Sequence, residues 1–443
     1  MIIALTGVRP KNKNRGGNDL SSEKFKLTRL EKNWILYDVG NSAFVLLVTT
    51  LVPIFFNILG AKDGLSNTTY LAYWGYAQSV ATIISALAGP LLGAVADRKD
   101  KKKPIFLITI AVGTIGCLLF GFAREWLIFL IVFVIARVAF NLSLVVYDST
   151  LGDVTTEDRF DDVSSQGYAW GYIGSVIPFI ICLALYVLLP KFGVMSDMNA
   201  MAIGFGLTAV WWFCVSIPIL KSYKQKNYLT VAETREHNAF KQIGQSLKEI
   251  SKNRKVGLFL LAFFFYIDGV YTIIDMATAY GTSLGLDTVM LLLALLVTQF
   301  VAFPSAIIIG RFSKKYDATK LISVCIVAYF LIACYAIFLV KTYQFWILAV
   351  CVGLFQGGVQ ALSRSYFTKI IPSEKTGEYF GLYDIIGKGA SFVGTTLVGV
   401  VAQATGHQNI GVGAISIFFI IGFIIFRASL KDKKEKTEEP AEK

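Results

Sequence analysis

Charge is scarce in this sequence: Asp, Glu, Lys and Arg make up 16% of its 443 residues, where water-soluble domains carry about 25%. With 55% hydrophobic residues and a mean hydropathy of +0.60, soluble folding would leave too much apolar surface exposed. Catalytic signatures are missing as well. No G-x-x-x-x-G-K-[ST] phosphate loop, H-E-x-x-H zinc helix or G-x-S-x-G nucleophile elbow occurs, which removes P-loop hydrolysis, zinc peptidase and serine hydrolase chemistry from consideration. The only two histidines, His237 and His407, fall in separate polar segments, and the six cysteines lie in apolar runs without C-x-x-C spacing. Neither a metal site, a cofactor nor a disulfide framework is expected. Nor is a secretory signal peptide expected, because the short apolar run Met1–Leu5 leads into a basic, polar stretch reaching Asn33.

Long apolar windows are abundant. Read at the length that crosses a bilayer, about 20 residues, they place spans at 34–59, 70–96, 104–123, 125–149, 166–190, 200–220, 256–282, 288–311, 319–341, 343–367, 379–404 and 409–427. The expected fold class is therefore an all-α polytopic membrane protein with twelve transmembrane helices. Basic residues test its orientation, since Lys and Arg are retained on the cytoplasmic side. With both termini inside, 36 of the 42 Lys and Arg residues fall in cytoplasmic segments and four in outside loops, leaving Arg137 and Lys388 within spans. The net charge of +12 thus reads as topology rather than as a nucleic-acid surface, with anionic lipid headgroups as the expected cytoplasmic contacts.

Organisation follows from the same pass. A polar loop at 221–255 separates two sets of six spans, giving a basic N-terminal segment 1–33, bundles at 34–220 and 256–427, and a charged tail at 428–443 expected to be disordered. The halves echo each other: G-A-V-A-D-R-K-D-K-K-K-P-I from Gly93 and G-R-F-S-K-K-Y-D-A-T-K-L-I from Gly310 follow the second and eighth spans. Repeats of this kind place a solute site near the bilayer midplane between halves that rock against each other.

The Gly93–Lys103 segment resembles the signature that joins the second and third helices of the major facilitator superfamily. Further strings, Y-D-V-G-N-S-A-F at Tyr37, A-G-P-L-L-G-A-V-A-D-R at Ala88, V-S-S-Q-G-Y-A-W-G-Y-I-G at Val163, I-D-G-V-Y-T-I at Ile267, G-G-V-Q-A-L-S-R-S at Gly357 and Y-F-G-L-Y-D-I-I-G-K at Tyr379, are similar to the vacuole-effluxer-like family of that superfamily. The resemblance runs from about Asn33 to Gly411. It implies a major facilitator fold and secondary transport, in a family whose fungal members export amino acids from vacuoles, and it implies that spans 1, 4, 7 and 10 line the central cavity.

Ionisable residues inside spans are expensive and mark function by default. Arg137, Asn141 and Asp148 share one face of span 4, and Asp268 and Asp275 one face of span 7 with Tyr271 between them. Arg137 and Asp268 sit at matching depth, a cation and an anion suited to a zwitterion or, equally, to a structural ion pair. Gln356 and Gln360 in span 10 complete the expected solute-contact set. Gating or coupling is expected of Asp38, Asn41, Gly93, Asp97, Arg98, Asp148, Arg364 and Lys388, the last paired at i, i+4 with Asp384. Asp268 and Asp38 are the acids suited to carry a coupling ion. The acidic run Asp153, Glu157, Asp158, Asp161, Asp162 reads as solvated charge.

The expected activity is secondary active transport by alternating access across the cytoplasmic membrane. A small polar, amino-acid-like solute moves outward or in exchange, with a proton or cation as candidate driving ion, through a monomer with no nucleic-acid partner. The alternatives are a non-transporting receptor or scaffold on a transporter fold, or a transporter of an unrelated small solute.

Overall fold

The computed structural model describes residues 26–230, 239–283, 285–286, 288–339 and 341–431. Most of the basic N-terminal segment, His237 and the tail past 431 lie outside the described residues. The helices run α1 Arg29–Lys62, α2 Asn67–Ala96, α3 Lys102–Leu119, α4 Trp126–Ser149, a short α5 Leu151–Val154, α6 Phe160–Lys191 and α7 Asp197–Ser222. They continue as α8 Ala239–Lys252, α9 Arg254–Ser283, α10 Thr288–Phe312, α11 Ala318–Ile337, α12 Thr342–Ile370, α13 Thr376–Thr405, α14 Gln408–Ala414 and α15 Ser416–Ser429. Among the described residues twelve helical stretches are long and apolar enough to cross a membrane, the last made of α14 and α15 together. Helices are the form such runs must take, because hydrocarbon offers no partner for an unpaired backbone group.

Several helices begin earlier than hydropathy indicates, and paired charge is the reason. α1 starts at Arg29 rather than 34: the Thr28 hydroxyl accepts from the Glu31 N–H at 3.2 Å while the Thr28 N–H donates to Glu31 Oε2 at 2.7 Å. Glu31 is then buried against Arg159, 2.7 Å away. α6 starts at Phe160 rather than 166, with Asp161 and Asp162 in its first turn, where the helix dipole favours anions. α8 lies within the stretch taken as a polar loop. Its apolar residues Phe240, Ile243, Leu247 and Ile250 recur at helical spacing, too thinly for a 20-residue window to register.

The buried apolar side chains form two clusters, one drawn from residues between Trp34 and Tyr223, the other from residues between Ile250 and Phe426 with Val145. The two groups of helices meet where α2 packs on α13 and α6 on α10 and α12. Close approach of α2 and α13 needs small residues. A Cβ on Gly93 would collide with the Gly377 carbonyl, and one on Gly381 would stand 2.5 Å from the Pro90 backbone.

The helices alternate in direction, so Ala96, Lys102, Ser149, Ser222, Phe312 and Ile370 share one end of the bundle, called here the basic end for its Lys99–Lys103 and Lys314–Lys315 loops. The acidic run at this end is solvated only in part: Glu157 and Asp158 are exposed as expected. Asp153, Asp161 and Asp162 are buried: Asp161 meets Lys369 at 2.7 Å and Asp162 meets Lys314 at 3.2 Å. Asp153 accepts from the Tyr223 hydroxyl at 2.5 Å and from the Asn227 backbone and side chain at 2.9 Å, which fastens the chain leaving α7 against the bundle. Burial and the Asp153 carboxylate both push the Tyr223 phenol up, so it remains a donor. Exposed charges would have been screened; these are held because each sits opposite a partner across a helix contact.

Candidate functional site

Two constellations bring the chemistry-bearing residues together, one at the basic end and one midway along the bundle. At the basic end Arg364 of α12 is buried, 2% exposed, and inserts among α1, α4 and α6. Its Nη1 donates to Asp148 Oδ1 at 2.9 Å, its Nε to Ser164 Oγ at 2.9 Å, and its Nη2 to the Ser164 carbonyl at 3.0 Å and Asp38 Oδ2 at 3.5 Å. The guanidinium carbon lies 4.7 Å from the Trp34 ring and 4.4 Å from the Tyr168 ring, so the cation is held by rings as well as by carboxylates. Tyr147 donates to the same Asp38 oxygen at 2.8 Å, and Asn41 donates to Asp38 Oδ1 at 3.2 Å. Glycine is needed at 167, where a Cβ would run into Asp38 and approach Arg364.

A second crossing lies beside it. Asp97, which caps the end of α2, accepts the backbone N–H groups of Gly377 and Glu378 at 2.8 and 2.9 Å, at the start of α13. A carboxylate at a helix N-terminus meets unsatisfied donors and the positive end of the dipole. Lys102, itself fully buried, stands 3.4 Å from Asp97 and donates to Thr376 at 3.0 Å. Burial raises the Asp97 pKa above the ordinary carboxylate range, with Lys102 and the two N–H groups pulling the other way. Arg98 makes no such crossing; its backbone bridges to Leu229.

The constellation midway along the bundle is assembled differently. Arg137 on α4 is half-buried, yet its Nη1 is enclosed with no hydrogen-bond partner among the described residues, and its guanidinium carbon lies 5.5 Å from the Phe140 ring. The carboxylates whose charges act on it are Asp275 of α9 and Asp384 of α13. Asp384 also meets Lys388 Nζ at 2.6 Å. Asp275 is exposed, so this group of two cations and two anions is not sealed within the core. Tyr271 and Gln360 are half-buried on α9 and α12, and Gln356 lies beside Tyr172 of α6. Asn141 turns away from the charges and donates to Ser85 of α2 at 3.0 Å.

The pairing of Arg137 with Asp268 expected from depth does not form. Asp268 is fully buried and faces α13, accepting from Thr272 Oγ1 and from the Gly394 N–H, each at 3.1 Å, while its second oxygen has no partner. Depth along a helix is legible in the sequence, but rotation about its axis against a neighbour is not. The same limit hid the rings around Arg364, the Asp97 capping of α13 and the Asp275 and Asp384 pairing with Arg137. Among these, only the i, i+4 spacing of Asp384 and Lys388 gave a local signal.

Comparison with known proteins bears on the family and the fold. The profile of the family described as "Vacuole effluxer Atg22 like" matches residues 28–159 and 152–439. The chain is 41% identical over 404 residues to the MFS-type transporter YxiO of Bacillus subtilis (strain 168), covering 90% of this chain and 94% of that one. It is 24% identical over 288 residues to autophagy-related protein 22-1 of Sclerotinia sclerotiorum, spanning 58% of this chain and 48% of that protein. Among solved structures, the Escherichia coli fucose:proton symporter FucP superposes with a TM-score of 0.69 at 15% identity, covering 91% of this chain and 98% of that one. The human organic anion transporter MFSD10 superposes with a TM-score of 0.65 at 12% identity, covering 90% of this chain and 99% of that one. Those two likenesses speak to the fold alone.

Proposed function

The chain belongs to the vacuole effluxer Atg22-like family of major facilitator transporters, and from that premise we propose that it exports or exchanges a small solute carrying both charges, amino-acid-like, across the cytoplasmic membrane. The observation that carries this reading is the enclosed, unpartnered Nη1 of Arg137 beside Asp275 and Asp384. A cation left without a partner at membrane depth is unfavourable, and a solute carboxylate supplies the two-pronged acceptor that a guanidinium fits. Asp275 and Asp384 are placed to receive the solute ammonium, with Gln356, Gln360 and Tyr271 as polar neighbours.

The basic end is the cytoplasmic one in this reading, by the distribution of Lys and Arg, and anionic lipid headgroups meet its lysines. Arg364 with Asp38 and Asp148, and Asp97 with the start of α13, then form the cytoplasmic gate in its closed state. The halves 34–220 and 256–427 rock about the site, and the gate opens when these bonds break. An ion gradient drives the movement.

Counterflow tests the reading. Proteoliposomes loaded with unlabelled amino acids are expected to accumulate label from an external amino-acid mixture, and Arg137→Ala is expected to abolish that uptake while still inserting. Wild-type vesicles that take up no label, or Arg137→Ala vesicles with undiminished uptake, overturn it.

A further inference from the structure

We infer that Asp268 is a proton-binding site, separate from the solute site, whose occupancy governs the contact between α9 and α13; this rests on the transport reading above. The residue lies midway along α9, 14 residues from Arg254 and 15 from Ser283. It is 0% exposed. Its two oxygens differ sharply: Oδ1 accepts from both Thr272 Oγ1 and the Gly394 N–H, and Oδ2 accepts from nothing.

That asymmetry suits the acid better than the carboxylate. In a carboxylic acid the carbonyl oxygen takes the donors and the hydroxyl oxygen carries the proton. In a carboxylate both oxygens share the charge, and an enclosed oxygen with no donor is strongly disfavoured. No cation offsets such a charge here. On the helices packed against α9, Asp384 and Lys388 pair with each other, and Arg364 is engaged by Asp38 and Asp148. Lys369 is held by Asp161, Lys375 and Glu249 pair with each other, Glu378 stands in the first turn of α13, and Arg311, Lys320 and Arg427 lie in the terminal turns at the basic end. On α9 itself Asp275 faces Arg137, and the neighbouring Tyr266 hydroxyl pairs with Ser363.

A metal cation fits poorly. Among the described residues no three acidic, histidine or cysteine side chains cluster, and only Thr272 offers Asp268 a second side-chain oxygen. The proton is the ligand the site can take: a carboxylate and a hydronium ion give the acid and water, with no other bond changed.

The link to movement is the Gly394 N–H. A backbone N–H within a helix ordinarily serves the carbonyl four residues earlier, so Asp268 competes for a donor in the α13 ladder. Only glycine allows that approach, since a Cβ at 394 would strike both Asp268 and Thr272. Loss of the proton leaves a charge that only water can stabilise, and water reaches it when α9 and α13 separate. α9 also carries Asp275 two turns away, so the same displacement reshapes the surroundings of Arg137. Asp38, the other candidate acid, is committed to Arg364, Tyr147 and Asn41.

The test is pH-difference infrared spectroscopy of the full-length protein in lipid nanodiscs. A carboxylic acid C=O band is expected in wild type, lost in Asp268→Asn, retained in Asp38→Asn and Asp275→Asn, and unchanged when sodium replaces potassium. Thr272→Val, which keeps the acid and removes one donor, is expected to shift the band to higher frequency. With native cysteines replaced and spin labels at Leu261→Cys on α9 and Val400→Cys on α13, the interlabel distance is expected to lengthen as pH rises, and to be pH-insensitive in Asp268→Asn. Identical spectra for wild type and Asp268→Asn, a band that responds to sodium at fixed pH, or a distance that is the same at every pH in wild type overturns the inference. If counterflow fails while the Asp268 band and distance change persist, the solute reading falls and the proton site stands.

Discussion

Two arginines within the helices of this bundle have opposite surroundings. Arg364 spends its donors on two carboxylates, a hydroxyl and a backbone carbonyl, and lies against tryptophan and tyrosine rings. Arg137 has one ring for company and an enclosed nitrogen that bonds to nothing. A charge that is fully met by the protein holds a conformation. A charge left unmet by the protein is available to a ligand, and the difference separates the proposed gate from the proposed solute site.

The contrast breaks most visibly at Arg364. Arg364→Ala strands Asp38 and Asp148, and truncating one partner of a buried ionic group lowers stability by about 3–5 kcal/mol; denaturant unfolding in detergent should register that loss. Arg137→Met should go the other way, with stability unchanged or higher because a poorly compensated buried charge is removed, and counterflow abolished. Equal destabilisation by both substitutions would show that Arg137 is structural after all. Asp97→Asn removes a charged acceptor from two backbone N–H groups and from Lys102, a loss of about 1.5–3 kcal/mol, and cysteine accessibility at the basic end should rise with it.

Smaller effects sharpen the same comparison. Gly377→Ala places a Cβ 2.6 Å from the Gly93 carbonyl, and forcing apart a well-packed contact is unfavourable by about 1–3 kcal/mol. Its thermal transition should fall, and spin-label distances across the basic end should widen. An unchanged distance would mean that α2 and α13 tolerate separation without opening. Tyr37→Phe deletes a hydroxyl that donates to Ser143 at 2.6 Å and keeps the ring, which packs 4.6 Å from that of Tyr147. About 1 kcal/mol of stability should be lost with counterflow intact.

How much of this was readable beforehand depended on the range of the interaction. The Asp384–Lys388 pair sits at i, i+4 and was legible from spacing. The capping box at Thr28 and the acidic first turn of α6 are local too, yet hydropathy windows passed over them because charge was read as a boundary. Asp153, Asp161 and Asp162 were taken as solvated because nothing in their own segment shows that Tyr223, Lys369 and Lys314 arrive opposite them. Arg137 and Asp268 share a depth, but α9 is rotated so that Asp275 approaches Arg137 and Asp268 turns to α13.

By itself the sequence determined that the chain crosses a membrane in twelve helices, that short motifs recur after the second and eighth of them, and that it resembles a family of effluxers. Each of these is a property of a contiguous stretch: apolar length, composition and string are local quantities. Tertiary structure alone decided which charges meet across helices. Arg364 finds Asp38 across 326 positions of chain and Asp148 across 216, and such meetings depend on how each helix is rotated and how closely glycines let it approach.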